Sequence, residues 1–295
     1  MRDFLTVTQN PSDPLLDRID RLVTRLENAF TSNADCEPDW SALAFRWRRR
    51  GQIGALESIH SVHAVSLDDL IGIDKQKSTL DTNTRQFLAG LPCNNALLWG
   101  SRGTGKSTLI KALLNRYAAD GLRIVEVEAH DLIDLPEIVE PLHGRPERFI
   151  LFVDDLSFSA DDSSYRALKA ALDGSVSVAP DNVKIYATSN RRHLLPEMKK
   201  ENLDTVIVHG EIHHGEAVEE KISLSERFGV WLSFQPFSQQ LYLDVVAYWL
   251  EKLGGLTLDE TLRANALEWA LRRGNRSGRV AAQFAQDAVG RAQLK

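Results

Sequence analysis

The eight residues Gly100 to Ser107, GSRGTGKS, fit the pattern G-x-x-x-x-G-K-S/T in full. Glycines at those spacings let successive backbone N–H groups turn inward. A helix that starts at the lysine adds the positive end of its dipole, and the group such a nest suits is a phosphate. The backbone of Gly100, Ser101, Arg102, Gly103, Thr104 and Gly105 would cradle the phosphates of a nucleotide, with Thr108 in the first helical turn beside them. Lys106 would reach the β- and γ-phosphates, and the Ser107 hydroxyl would ligate magnesium. ATP and magnesium are the expected ligands. The alternative is a glycine-rich turn that binds nothing. Against it stand the strand-like run Ala96 to Trp99 before the motif and the amphipathic stretch after it.

A second set closes the run Phe149 to Val153, which is continuously apolar and ends in Asp154 and Asp155. A buried strand of an open α/β sheet delivers such acids to its carboxyl end, where ligands bind. Asp154 would hold the magnesium shell through water, and Asp155 would orient or deprotonate an attacking water. The competing role, capping the following helix, loses weight because the phosphate motif is in the same chain.

These residues need a frame to hold them. Short apolar or β-branched runs at Ala96 to Trp99, Leu122 to Val127, Phe149 to Val153, Val183 to Ala187 and Val230 to Phe234 alternate with helical stretches. That pattern predicts a parallel sheet covered on both faces. Leu109, Ile110, Leu113, Leu114 and Tyr117 give the helix after the phosphate motif one buried side. Beyond Phe237 the strand signals stop, and Ser238 to Leu253, Leu258 to Arg273 and Ser277 onward read as helices punctuated by Gly254 and Gly274. At the other end, Asp13-Pro14 starts a helix with Leu15, Ile19, Leu22, Leu26 and Phe30 on one face. A second short helix is expected to carry Trp40, Leu43 and Trp47. The expected division is a helical N-terminal unit over 1–64, an α/β nucleotide-binding domain over 65–236 and a helical lid over 237–295.

Composition narrows the partners. The chain has 295 residues and a formal net charge of -6, so no overall positive field draws it to nucleic acid. Two cysteines, Cys36 and Cys93, provide neither a disulfide framework nor a metal-ligand spacing. No apolar run is long enough to span a bilayer, and a cytoplasmic location without membrane contact is expected. Arg46, Arg48, Arg49 and Arg50 form the densest positive cluster. It could grip a phosphate backbone, with Trp40 or Trp47 stacking on bases, or be a solvated helix face. His213 and His214 near Glu211 and Glu216 lack metal-site spacing and read as a polar loop. Ser163 and Ser164 belong to no recognisable nucleophile motif.

Taken in order, these motifs resemble the AAA+ ATPases over roughly residues 66 to 295. Ile71-Gly72-Ile73 is similar to the family's apolar segment that packs on adenine, and Thr188-Ser189-Asn190 resembles the sensor-1 strand end, with Asn190 positioning water near the γ-phosphate. Leu224 to Gly229 resembles the segment presenting an arginine finger to a neighbouring subunit, which would be Arg227. Gly278-Arg279-Val280-Ala281 resembles the start of the sensor-2 helix, with Arg279 reaching the phosphates. The stretches NNALLWGSRGTGKSTL, FVDDLSFSADDSSYRALKAALDG, YATSNRRHLLPE and SLSERFG are similar to a bacterial AAA+ family carried as a domain of unknown function. Asp154-Asp155-Leu156 and Arg227-Phe228-Gly229 also resemble bacterial replication-initiator and branch-migration ATPases. One departure stands out: the family's usual glutamate is Asp155 here, one methylene shorter.

The resemblance implies a parallel-sheet P-loop domain, a helical lid, ATP hydrolysis and a homo-oligomer, with a hexameric ring as the expected form. The expected output is remodelling of an unknown protein or DNA partner. A slow-turnover scaffold or switch that assembles on nucleotide binding is the main alternative. A small-molecule kinase is disfavoured because Asn190, Arg227 and Arg279 match a family whose acceptor is water. A GTPase is disfavoured because no Asn-Lys-x-Asp motif follows.

Overall fold

Residues 37–50, 53–158, 163–172, 180–191, 206–208, 211–213 and 226–294 are described by the structure, a computed structural model. The amphipathic helix expected from Asp13 lies outside them, as do His214 and Glu216.

The first elements are strands, β1 (Ala44–Arg50) and β2 (Ile53–Ile59), paired as an antiparallel hairpin. This corrects the short helix expected over Trp40 to Arg50. Phe45 and Trp47 alternate with Arg46 and Arg48, a period of two that a pleated strand satisfies. Phe45 and Trp47 enter the core, while Arg46 turns to Glu126 at 2.6 Å and Arg48 to Glu57 at 3.0 Å. Arg49, on the Trp47 face, meets Asp134 at 2.9 Å, and the Trp47 indole N–H donates to the same carboxylate at 3.3 Å. A Cβ on Gly54 would lie 2.0 Å from the Trp47 ring, so the glycine makes room for the indole. These pairs place Arg46, Arg48 and Arg49 against carboxylates of the same fold. The hairpin also moves residues 44–59 out of a helical N-terminal unit and into the sheet.

A 3₁₀ turn at Leu67–Asp69 leads into α1 (Asp74–Leu88). There follow β3 (Ala96–Gly100), α2 (Lys106–Tyr117), β4 (Leu122–Glu126), a second 3₁₀ turn at Ala129–Asp134, and α3 (Leu135–Val139). Next come β5 (Arg148–Val153), α4 (Ser163–Leu172) and β6 (Val183–Ser189). A separate ribbon pairs β7 (Val206–Val208) with β8 (Glu211–His213), and β9 (Val230–Phe234) completes the main sheet. Its order is β2-β1-β4-β5-β6-β3-β9, and every pairing but the hairpin's own is parallel. Period-two burial explains the continuous apolar runs. Phe149, Leu151 and Val153 of β5 face one core layer, and Ile150 and Phe152 face the other.

Three helices close the described chain: α5 (Gln239–Gly254), α6 (Glu260–Arg273) and α7 (Gly278–Gln293). Ser238, Asp259 and Ser277 cap their N-termini through side-chain oxygens, and Gly255 and Gly274 end the first two in left-handed conformation. Tyr242, Val246, Leu250, Ala266, Ala281 and Phe284 give this lid a core of its own.

Lid and sheet domain are tied at Asp69. This buried carboxylate, in the turn before α1, accepts hydrogen bonds from the Tyr248 hydroxyl at 2.5 Å, from the Lys252 ammonium, and from the Ser66 N–H at 3.0 Å. Burial pushes its pKa up, but the bonds from Lys252, Tyr248 and Ser66 outweigh that and hold it below the usual aspartate value. A depressed folded-state pKa stabilises above the unfolded value and loses that contribution as pH falls through the folded one. Wild-type Tm should therefore fall below about pH 4 more steeply than that of Asp69→Asn, measured by thermal unfolding across pH. Parallel curves would mean that Asp69 contributes no charge to the tie.

Candidate active site

At the carboxyl end of β3 the chain makes a tight loop. Gly100 has φ 130°, and a Cβ there would lie 2.1 Å from the Phe234 carbonyl oxygen, which accepts the Ser101 N–H at 3.0 Å. Gly103 and Gly105 have φ 75° and 100°, backbone that side chains resist. The Thr104 hydroxyl closes the loop by donating to the Ser101 carbonyl at 2.8 Å. Gly105 is the N-cap of α2, so no side chain caps that end and its first N–H groups face the loop's concavity.

Lys106 is 6% exposed, and its ammonium donates to the carbonyls of Gly100 and Ser101 at 2.8 and 2.7 Å and to Asn190 Oδ1 at 3.1 Å. Burial lowers its pKa, which Asp154 and Asp155 partly oppose. Asn190, just past β6, donates its amide to Asp155 Oδ1 and so links the lysine to the acid. The Ser107 hydroxyl donates to Asp154 Oδ1 at 2.6 Å. Thr188 Oγ1 donates to the same oxygen at 2.5 Å and accepts the Asp155 N–H at 3.0 Å. Asp155 is the sole non-glycine residue with positive φ among the described residues, at 52°. Its other oxygen lies 3.7 Å from Arg102, whose side chain is 80% exposed.

This donor set suits magnesium. Ser107 gives its proton to Asp154, which leaves its lone pairs open to a cation, and both are hard oxygen ligands. One or two protein oxygens are the usual complement when phosphates and water supply the rest. No group of three or more His, Cys, Asp or Glu side chains among the described residues could hold a metal.

The remaining expected residues divide. Ile73 is buried against the loop, 3.6 Å from where a Cβ on Gly105 would be, and Ile71 packs on the lid core. Gly72 has φ 76°, and a Cβ there would lie 2.3 Å from Leu241 of α5. Arg279 opens α7, exposed and with no hydrogen bond or ion pair among the described residues. Its Cβ is 3.6 Å from a Cβ built on Gly103. Thr108 follows Ser107 in the first turn of α2, half-buried. Arg227 is set apart. It precedes β9, whose first residue pairs with Ala96 and whose last pairs with Gly100. Those four steps, about 13 Å, put Arg227 at the opposite end of the sheet from its own phosphate loop.

Sequence reasoning assigned no role to Thr188, although it named the run that contains it. It also missed the lid contacts of Leu241 and Ser277, which carry no local signal.

The family described as a protein of unknown function (DUF815) matches residues 41–292. The chain belongs to the DUF815 family. Its match begins just before β1, so the hairpin is inside the family's span. No curated protein matches the DUF815 chain. Among solved structures it is similar to Aeropyrum pernix ORC1 in complex with DNA, with TM-score 0.54 and 17% identity over 76% of this chain and 60% of that one. A point mutant of Thermotoga maritima RuvB gives TM-score 0.51 and 16% identity over 76% of this chain and 65% of that one. The DUF815 chain thus spans under two thirds of the length of either structure. The fold it shares with them is the AAA+ P-loop fold, a mostly parallel sheet followed by C-terminal helices.

Gly103 offers a local test. A Cβ there would lie 2.8 Å from Ser277 Oγ and 2.9 Å from its Cβ, at the start of α7. Gly103→Ala also meets a left-handed backbone, which costs about 1–2 kcal/mol. The variant should melt lower and bind nucleotide more weakly, because α7 must withdraw from the loop. Wild-type values in both thermal unfolding and calorimetry would mean that the loop and lid do not touch.

Proposed function

We propose that this chain is an AAA+ ATP hydrolase that uses magnesium and assembles with copies of itself to remodel a protein or DNA partner. The observation that carries the reading is the hydrogen-bonded set Lys106, Asn190 and Asp155 beside Ser107 and Asp154, at the carboxyl ends of three adjacent strands.

The loop backbone and the start of α2 bind the phosphates, and Ile71 to Ile73 with Leu241 flank the base. Lys106 exchanges its loop carbonyls for β- and γ-oxygens. Asp155, held by Asn190, accepts a hydrogen bond from water and aims it in line at the γ-phosphorus. Ser107 and Asp154 would hold magnesium, which when bound would supply charge neutralisation on the phosphates. Arg279 from α7 adds a positive charge on the lid side.

Lys106→Ala should lose tight ATP binding. Asp155→Asn should bind ATP and magnesium yet not turn over, since an amide cannot take a proton from water. Calorimetry and phosphate release measure the two. Unchanged affinity in the first variant would remove the phosphate site, and wild-type turnover in the second would remove Asp155 from the water.

The place of Arg227 supports the assembly part of this reading. From the far end of its own sheet it acts on a neighbour's ATP or on none. An arginine supplied in trans contributes about 10³–10⁵ in rate. Arg227→Ala should bind ATP and hardly hydrolyse it. Mixed with Asp155→Asn, it should regain part of the activity wherever an intact acid meets an intact arginine. Baseline turnover in a mixture whose differently tagged subunits co-purify would exclude Arg227 as that group.

One observation favours a second reading, a slow switch that assembles on ATP. Asp155 is shorter than the usual glutamate and sits on left-handed backbone, which constrains its reach to water. Steady-state turnover with and without DNA separates motor from switch.

A further inference from the structure

We propose that Thr188 is a positioning residue that sets both acids of the site, and that through them it determines magnesium affinity. The proposal rests on the magnesium–ATP reading above and names a residue that reading leaves without a role.

Thr188 is 1% exposed, and its hydroxyl has one proton to give. The proton goes to Asp154 Oδ1 at 2.5 Å, and the lone pair facing the backbone accepts the Asp155 N–H at 3.0 Å. One buried oxygen therefore joins the carboxylate on the magnesium side to the peptide that carries the water-side carboxylate. The Thr188 carbonyl adds a third tie, accepting the Leu156 N–H at 2.7 Å. Thr188 alone thus fastens residues 154 to 156 at three points, and the Ser189 hydroxyl beside it donates to the Leu156 carbonyl at 2.8 Å.

The backbone gives this fastening its purpose. Asp155 holds φ 52°, and a strained residue of this kind persists only where its surroundings over-determine it. Its N–H has two acceptors, Thr188 Oγ1 and, at 3.2 Å, Asp154 Oδ1. Removing the hydroxyl leaves the second alone and frees the Asp154 carboxylate to rotate away from Ser107. Partners behind a metal ligand that orient it in this way change metal affinity or activity by about 10–100-fold when lost.

The test uses the full chain in three forms: wild type, Thr188→Val, and Thr188→Ser, which keeps the hydroxyl. Mn²⁺ is titrated into each with a non-hydrolysable ATP analogue kept below the protein concentration, and protein-bound Mn²⁺ is separated from Mn²⁺ on free nucleotide by electron paramagnetic resonance against a protein-free control. ATP affinity is measured separately in EDTA. Thr188→Val should weaken Mn²⁺ binding about 10–100-fold and lower turnover, while ATP affinity in EDTA stays at the wild-type value. Thr188→Ser should restore both. A serine variant as weak as the valine one, or a valine variant that binds Mn²⁺ like wild type, would overturn the proposal. Should the valine variant fail to fold, Thr188→Ala also lacks the hydroxyl and gives the same comparison. A wild type that binds no Mn²⁺ with the analogue would overturn the ATPase reading itself, and this proposal with it. The wild-type arm distinguishes that failure from one confined to Thr188.

Discussion

Strand β6 shares hydrogen bonds with β3 on one side and β5 on the other, and that placement sets the geometry of everything at the carboxyl edge. Neighbouring strands lie about 4.8 Å apart, so the phosphate loop and the acid pair start roughly two strand spacings from each other. Trp99 pairs with Ser189 and Val153 with Ala187, so the three strands end almost level. The gap is bridged from between. Asn190 and Thr188 leave the end of β6, one towards Lys106 and Asp155, the other towards Asp154. Strands in simple chain order would put another side chain in that gap, and the same motifs would not meet.

The lid is built differently. It has a core of its own, so its helices hold together whether or not they touch the sheet. Contact with the nucleotide-facing side includes Ile71 on the lid core, Leu241 on Gly72, Ser277 on Gly103, and Tyr248 with Lys252 on Asp69. The contacts at Gly72 and Gly103 depend on a missing side chain and the one at Asp69 on charge.

Much of this was legible in the sequence, for identifiable reasons. The phosphate loop, the acid pair and the five parallel strands are local patterns, and local patterns survive folding. The three lid helices were readable from Ser238, Ser277 and the glycines Gly254 and Gly274, though the cap at Asp259 was not singled out and the first helix ends at Gly255. The hairpin was misread because Trp40, Leu43 and Trp47 also fit helical spacing. The sheet prevailed because Phe45 and Trp47 share one pleat and Arg46, on the other, finds Glu126 eighty residues away. No local pattern announces such a partner. Thr188 went unassigned because a residue at a strand end reveals its facing only once β5 is beside it. The distance between Arg227 and its own phosphate loop follows from the parallel register of β9 on β3, which no motif encodes.

The left-handed backbone at Asp155 ties side-chain length to chain conformation. Aspartate and asparagine adopt that backbone far more readily than longer side chains, because their short polar groups bond locally. A glutamate introduced there would bring a new length and an ill-fitting φ together. The two would have to be corrected together, by a shift of the peptide off Thr188. Substitutions at positions 155 and 188 should therefore be strongly non-additive. The shorter acid is thus matched to its neighbour: the length at position 155 and the hydroxyl at position 188 form one fitted unit rather than two independent choices.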